Sequence, residues 1–246
     1  MILSNMSIWE KYSMIRDFNF CYRCIDVWKV IISSYLKEFE QFWSILSDDE
    51  IIRAQKFVVS DAKESFVITR AILRVLIAKY LEIAPGDVYF EQNNYGKPYV
   101  NGVPLNFNVS HSRDISLLIF SRTQAVGVDI EFINHHLSFD NLAKRFFTDK
   151  ENNYLSGLPM AERMKAFFDI WSCKEALIKV KGESLFKIIS KFSIDLFSNN
   201  SCTNNVKHDF HDKNLYLQLI DLDENYVGAV AIENYAYDQK IRLIDF

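Results

Sequence analysis

Residues 66–74, F-V-I-T-R-A-I-L-R, carry a helical apolar pattern that returns about 100 residues later in the helix starting at Phe167. Strand-like segments flank each copy: 24–32, 87–91 and 115–120 around the first, 125–132, 192–197 and 214–233 around the second. A helix with one apolar stripe has to bury it against another layer, so each unit reads as a helix on a sheet. A duplication explains the recurrence, and the chain is expected to be α+β, built as two similar α/β-sandwich halves joined at the turn 121–124. In this alignment Arg70 matches Trp171 and Arg74 matches Glu175. Arginines on amphipathic helices are commonly solvated or snorkelling face residues, so neither is assigned to a site.

The second half opens on V-G-V-D-I-E-F, where Val126, Val128, Ile130 and Phe132 alternate with Gly127, Asp129 and Glu131. This is the period of a strand packed on one face, and it points Asp129 and Glu131 the same way. Two carboxylates about 6–7 Å apart on one strand face repel unless water, a cation or a basic partner lies between them. An exposed acidic strand face is one reading. A hard divalent ion is the other, and magnesium, which completes its shell with waters and substrate phosphates, then implies a substrate that carries phosphate.

Ala166, Phe167, Ile170, Cys173 and Leu177 form an apolar stripe at helical spacing, with Gly182 as its stop. Trp171, Glu175 and Lys179 share another face at i, i+4 and i+8, a spacing that an ordinary helix-stabilising pair also explains. Gly96-Lys97-Pro98 is a loop signal with one cation, and Asn108, Ser110, His111 and Ser112 read as a polar turn before an apolar strand. Hydroxyl, imidazole and ammonium there supply donors for phosphate oxygens. A serine hydrolase does not fit: Ser110 and His111 are adjacent, no G-x-S-x-G elbow is present, and the other histidines give no triad order.

Taken together, G-K-P at 96–98, F-N-V-S-H-S at 107–112, G-V-D-I-E at 127–131, R-F-F-T-D-K-E at 145–151 and W-S-C-K-E-A-L-I-K at 171–179 resemble, in order and spacing, the hallmarks of the Sfp-type 4'-phosphopantetheinyl transferases. The resemblance runs from about residue 23 to 235. It implies two halves related by a pseudo-twofold with the active site in the cleft between them: a first half, 21–123, for coenzyme A and a second, 124–246, for metal and carrier protein. It implies Mg2+-dependent transfer of the 4'-phosphopantetheine group of coenzyme A to a serine of an apo acyl or peptidyl carrier protein, releasing adenosine 3',5'-bisphosphate. That chemistry needs the diphosphate held, its charge neutralised, the hydroxyl deprotonated and the leaving phosphate stabilised. By similarity, Asp129, Glu131 and Glu175 hold magnesium, and Lys179 touches the pyrophosphate or leaving group. Arg53, Lys97, Ser110, His111 and Lys174 are the candidate contacts to coenzyme A. Glu151 is the candidate proton acceptor, with a metal-bound water or a structural salt bridge as alternatives. Glu50 stands where some relatives have lysine, which puts one phosphate contact in doubt or passes it to Lys56. Gly182-Glu183-Ser184-Leu185 replaces the more usual G-x-G-L in the loop where carriers dock, and residues 1–20 are an extension without counterpart in the smaller members.

The chain has 246 residues, 49% hydrophobic and 24% charged, with a net charge of −4. No stretch reaches the roughly 18 apolar residues of a membrane span and no secretory signal is visible, so the cytoplasm is the expected compartment and no membrane partner is expected. No arginine-rich run with interleaved aromatics appears, which argues against nucleic acid. Four cysteines suggest reduced thiols, and the C-x-x-C of Cys21 and Cys24 has no second pair at zinc spacing. Carrier proteins of this type are commonly acidic and this chain is too, so steering must come from a local patch: Lys179, Lys181, Lys187 and Lys191 beside Leu185, Phe186 and Ile188. A cleft complete within one chain implies a monomer. A sequestering module would be expected to lose one of Asp129, Glu131, Glu175 or Lys179, and none is lost. A magnesium-dependent phosphohydrolase could use the same acids with water as nucleophile, and is told apart by whether mass accumulates on a protein.

Overall fold

The computed structural model describes residues 23–182, 188–196, 206–211, 214–236 and 238–246. Its helices are α1 Phe39–Phe42, α2 Asp48–Gln55, α3 Ser60–Leu81, α4 Asp140–Phe146, α5 Asp149–Gly157 and α6 Met160–Lys181. Its strands are β1 Cys24–Ile31, β2 Glu91–Gln92, β3 Pro98–Tyr99, β4 Asn106–Ser112, β5 Ile115–Ser121, β6 Val126–Phe132, β7 Ile194–Asp195, β8 Lys207–His208, β9 Leu215–Ile220, β10 Tyr226–Glu233 and β11 Lys240–Asp245. The chain is α+β, as expected. The two helices anticipated from the repeated pattern are α3 and α6, of 22 residues each. α6 ends on Gly182 in the left-handed conformation (φ 62°), which costs glycine nothing.

Two sheets carry these helices, in the orders β11-β1-β5-β4 and β6-β10-β9. The pairs β1·β5, β5·β4, β6·β10 and β10·β9 are all antiparallel. Residues 107–112, read from sequence as a polar turn, are strand β4: Phe107 and Val109 alternate with Asn108 and Ser110, and both alternate sets find partners. The segment 87–91 is instead a 3-10 turn at Pro85–Asp87 leading into the short β2, and 214–233 is two strands, β9 and β10. β11 was not foreseen. It runs parallel beside β1, so the last residues of the chain complete the first sheet and a boundary at 123/124 divides the sequence but not the sheets.

Three apolar cores follow from strand alternation. Trp28, Val30, Leu118 and Phe120 pack with Val67, Ala71, Ile72 and Val75 of α3. The opposite faces of β1 and β5 (Ile25, Val27, Ile115, Leu117, Ile119) meet Val126, Val128, Ile130, Val230 and Ile232 of the second sheet. Burial on both faces explains why 117–120 is apolar without a break, and why the polar Ser116 beside it is bonded to Thr69. The third core lies beneath α6, where Phe167 stacks on both Phe147 and Trp171, so that the second Phe of R-F-F and the W position are packing residues. Cys173 is free and buried while Cys24 is disulfide-bonded, which corrects the expectation of uniformly reduced thiols. No helix among the described residues is long and apolar enough to cross a membrane.

Candidate active site

The site is assembled where β6 meets β4 on one side and α6 on the other. The amides of Val128, Ile130 and Phe132 donate to Asn108 Oδ1 (3.0 Å), Ser110 Oγ (3.4 Å) and Ser112 Oγ (2.9 Å). Every second residue of β4 thus supplies a side-chain acceptor to every second amide of β6, and this side-chain ladder satisfies backbone groups that a sheet neighbour would otherwise take. On the other face, a Cβ at Gly127 would stand 2.3 Å from the Ala176 carbonyl oxygen and 2.7 Å from the Val180 nitrogen. Only glycine lets α6 come this close to β6, and that approach brings Glu175 and Lys179 against Asp129.

Lys179 Nζ lies 2.6 Å from Asp129 Oδ1, 2.9 Å from Ser110 Oγ and 3.5 Å from Glu175 Oε2. Ser110 Oγ in turn donates to Asp129 Oδ1 at 2.9 Å. Asp129 is 1% exposed, and its Oδ2 is buried with no hydrogen-bond partner. Glu131, on the same strand face, has its carboxyl pushed up to about 7, first by burial, then by the charges of Asp129 and Glu175. Glu175 is likewise pushed up to about 7 by burial and by Asp129, with Lys179 pulling the other way. Burial opposes the charge on Lys179, but the surrounding carboxylates outweigh it and raise the ammonium above its ordinary value. One cation among three acids leaves unneutralised negative charge in a half-buried place. No three His, Cys, Asp or Glu side chains converge as a ready metal cage among the described residues; the ammonium of Lys179 stands among the acids.

Beside this centre is a pocket of about 350 Å³ lined by Arg53, Phe57, Phe66, Arg70, Val109 and His111, among others. The Arg53 guanidinium sits 5.0 Å over the Phe66 ring, and that of Arg70 4.6 Å over Phe90. His111 is held below its ordinary value, first by the surrounding protein and then by Lys179, so its imidazole is neutral at pH 7. Arg70, left out on sequence grounds, lines the pocket with a buried Nη1 that lacks a hydrogen-bond partner, and is 3.4 Å from Glu50. Glu50 is the signal that could have located it: the S-x-x-E capping box at Ser47 buries that acid, and a buried acid needs cations beside it. Lys56 is exposed at the end of α2 and is not among the pocket's lining residues.

The remaining expected site residues lie elsewhere. Lys97 Nζ donates to the carbonyl oxygens of Val126 (3.1 Å), Lys179 (2.6 Å) and Val180 (3.1 Å), and burial pushes it down to about 8. All three ammonium protons are spent on the start of β6 and the C-terminal turn of α6. Glu151 and Lys174, 1% and 0% exposed, form a buried ion pair at 3.0 Å. Of the expected carrier patch, Leu185, Phe186 and Lys187 lie outside the described residues, Lys181 is paired with Glu233 at 2.7 Å, and Lys191 is exposed.

Comparison with known proteins identifies relatives along most of the chain. Residues 33–122 match the family model described as 4'-phosphopantetheinyl transferase, N-terminal, and residues 125–231 that of the 4'-phosphopantetheinyl transferase superfamily. The chain is 30% identical over 220 residues to 4'-phosphopantetheinyl transferase HetI of a Nostoc species, covering 88% of this chain and 90% of the relative. It is 26% identical over 211 residues to 4'-phosphopantetheinyl transferase Sfp of Bacillus subtilis, covering 85% and 92%. A shorter match, 38% over 118 residues, is to 4'-phosphopantetheinyl transferase AcpT of Salmonella typhimurium, covering 48% and 60%. With near-complete coverage of a relative at this identity, and the signature acids and lysine gathered at one centre, the chain belongs to the Sfp-type 4'-phosphopantetheinyl transferase family.

Proposed function

We propose that the family's reaction, transfer of 4'-phosphopantetheine from coenzyme A to a carrier-protein serine, runs here with Mg2+ held by Asp129, Glu131 and Glu175 and releases adenosine 3',5'-bisphosphate. The observation that carries this reading is Asp129: a buried carboxylate with one oxygen bonded to Lys179 and the other without a partner, between two acids whose charged forms burial disfavours. An all-oxygen set of this kind suits a hard ion. When bound, magnesium supplies a charge clamp for the pyrophosphate.

The chain's own groups account for the rest. Lys179, fixed by Asp129 and Ser110, presents an ammonium to the leaving phosphate. Ser110 orients Asp129 and Lys179 through its hydroxyl. The neighbouring pocket offers two guanidiniums, a neutral imidazole and two phenyl rings, a set that suits a phosphate attached to an aromatic base, and we assign it to the 3'-phosphoadenosine end of coenzyme A. Lys97 we assign to bracing the end of α6 rather than to phosphate. The matching strand orders β1-β5-β4 and β6-β10-β9 support two halves related by a pseudo-twofold; with the cleft complete within one chain, we take the enzyme to act as a cytoplasmic monomer on an acyl or peptidyl carrier.

The test is to incubate the protein with coenzyme A, magnesium and an apo carrier protein and weigh the carrier. A gain of about 340 Da, the mass of the arm moved by this phosphoryl chemistry, that vanishes with chelator is expected. Hydrolysed coenzyme A with an unchanged carrier would instead identify a phosphohydrolase.

A further inference from the structure

One arrangement occurs twice in this molecule. In the first half, Ser47 caps α2, and Glu50 Oε2 accepts from the Ser47 amide at 3.0 Å and from Arg74 Nε of α3 at 2.6 Å. Arg74 Nη1 spends itself on the carbonyl oxygens of Pro85 and Val88, in the chain just beyond α3. In the second half, Thr148 caps α5, and Glu151 Oε2 accepts from the Thr148 amide at 2.8 Å and pairs with Lys174 Nζ of α6 at 3.0 Å. Lys174 Nζ also donates to the carbonyl oxygens of Ile189 and Phe192, in the chain beyond α6. Both glutamates close a capping box, and all four ion-pair side chains are at least nine-tenths buried.

In the second copy nothing is left over for a substrate. Glu151 Oε1 is taken by the Ile194 amide at 2.7 Å, Oε2 by Thr148 and Lys174, and the three ammonium protons of Lys174 have three acceptors. The first copy lies at a place where no proton transfer is called for, so the arrangement has a purpose independent of chemistry. It ties a capped helix, a long helix and the return of the chain to one buried charge pair.

Resting on the transferase reading above, we propose that Glu151 and Lys174 are a positioning pair, the second copy of the Glu50–Arg74 device; Arg74 of Ser60–Leu81 then stands opposite Lys174 of Met160–Lys181, one residue away from the Glu175 that the sequence pattern set against it. They fix α6 so that Glu175, the residue after Lys174, and Lys179, one turn further on, meet Asp129. Glu151 is therefore not the base that takes the serine proton.

The test compares Glu151→Gln with the double variant Glu151→Gln/Lys174→Met. Removing one charge strands the other in the interior, whereas removing both is commonly tolerated. The single variant is expected to lower Tm and kcat together. The double variant is expected to regain both, to within about fivefold of the wild-type kcat with an unchanged pH profile, because the lost interaction was the pair itself. A double variant with wild-type Tm and kcat still at the level of the single one would overturn the proposal, since a missing base is not restored by Lys174→Met. Should the variants not fold, carbodiimide labelling of the wild-type enzyme decides. Glu151 is expected to stay unlabelled with or without coenzyme A and carrier, whereas labelling that these substrates block would overturn the proposal. Wild-type transfer to the carrier, measured alongside, reports separately on the transferase reading.

Discussion

At the residue scale the centre is defined by acids that are uncomfortable without a cation. Glu131 and Glu175, ordinarily near 4.5, are both raised to about 7, by burial before anything else. A carboxyl raised on folding favours the folded state below its unfolded value and loses that contribution as pH rises through its folded one. The metal-free protein is therefore expected to lose stability between about pH 4.5 and the region just above pH 7. Magnesium binds the deprotonated carboxylates, so its effect has the opposite slope: a small rise in Tm at pH 5.5 and a larger one at pH 8, about 2–4 °C for each kcal/mol in a chain of this size. Thermal unfolding with and without magnesium at the two pH values checks it, and a rise of equal size at both would place the ion elsewhere. The common face of Asp129 and Glu131 was legible because strand side chains alternate. That Asp129 would keep one oxygen unbonded was not, since Ser110 and Lys179 come from 19 residues before it and 50 after.

At the element scale, the C-terminal end of α6 is held by the loop from Asn93 to Lys97. The C-terminal turn of α6 presents free carbonyls and the negative end of its dipole, and Lys97 meets both. Asn93 fixes the same loop, accepting from the Tyr95 and Lys97 amides and donating to the Gly182 carbonyl. Lys97→Met is accordingly expected to leave the Kd for coenzyme A within about twofold and to slow transfer roughly 10–100-fold, the effect of a displaced catalytic group. Calorimetric binding beside steady-state kinetics separates the cases; a Kd that rises as far as kcat/KM falls would put the ammonium on the cofactor instead. The loop signal at 96–98 was visible in sequence, but a lysine looks the same there whether its target is a phosphate or a helix end. The strand β4 was misread for a related reason: its polar positions suggest a turn until β6 supplies the amides that they accept from.

At the scale of the whole molecule, the last strand secures the first one described. β11 lies beside β1, Arg242 pairs with the buried Asp26 at 2.7 Å, and the Phe246 ring packs on Trp28 and Tyr35. Deleting residues 240–246 leaves the buried Asp26 with the Tyr80 hydroxyl but without its cation and opens an edge of the first sheet, and is expected to lower Tm by roughly 10 °C or more, several kcal/mol at about 2–4 °C each; an unchanged Tm in a calorimetric scan would show that the strand contributes nothing in solution. Read alone, the sequence determined the α+β class, the two long helices, the inward and outward faces of β6, and the acids and lysine of the centre, because these rest on local periodicity and on short motifs. Tertiary structure alone decided that β11 joins the first sheet, that Arg70 belongs to the pocket, and that Lys97, Glu151 and Lys174 spend their charges on the protein itself. A side chain's type and spacing fix what it can bond, but which partner takes it depends on segments far along the chain that only folding brings within reach.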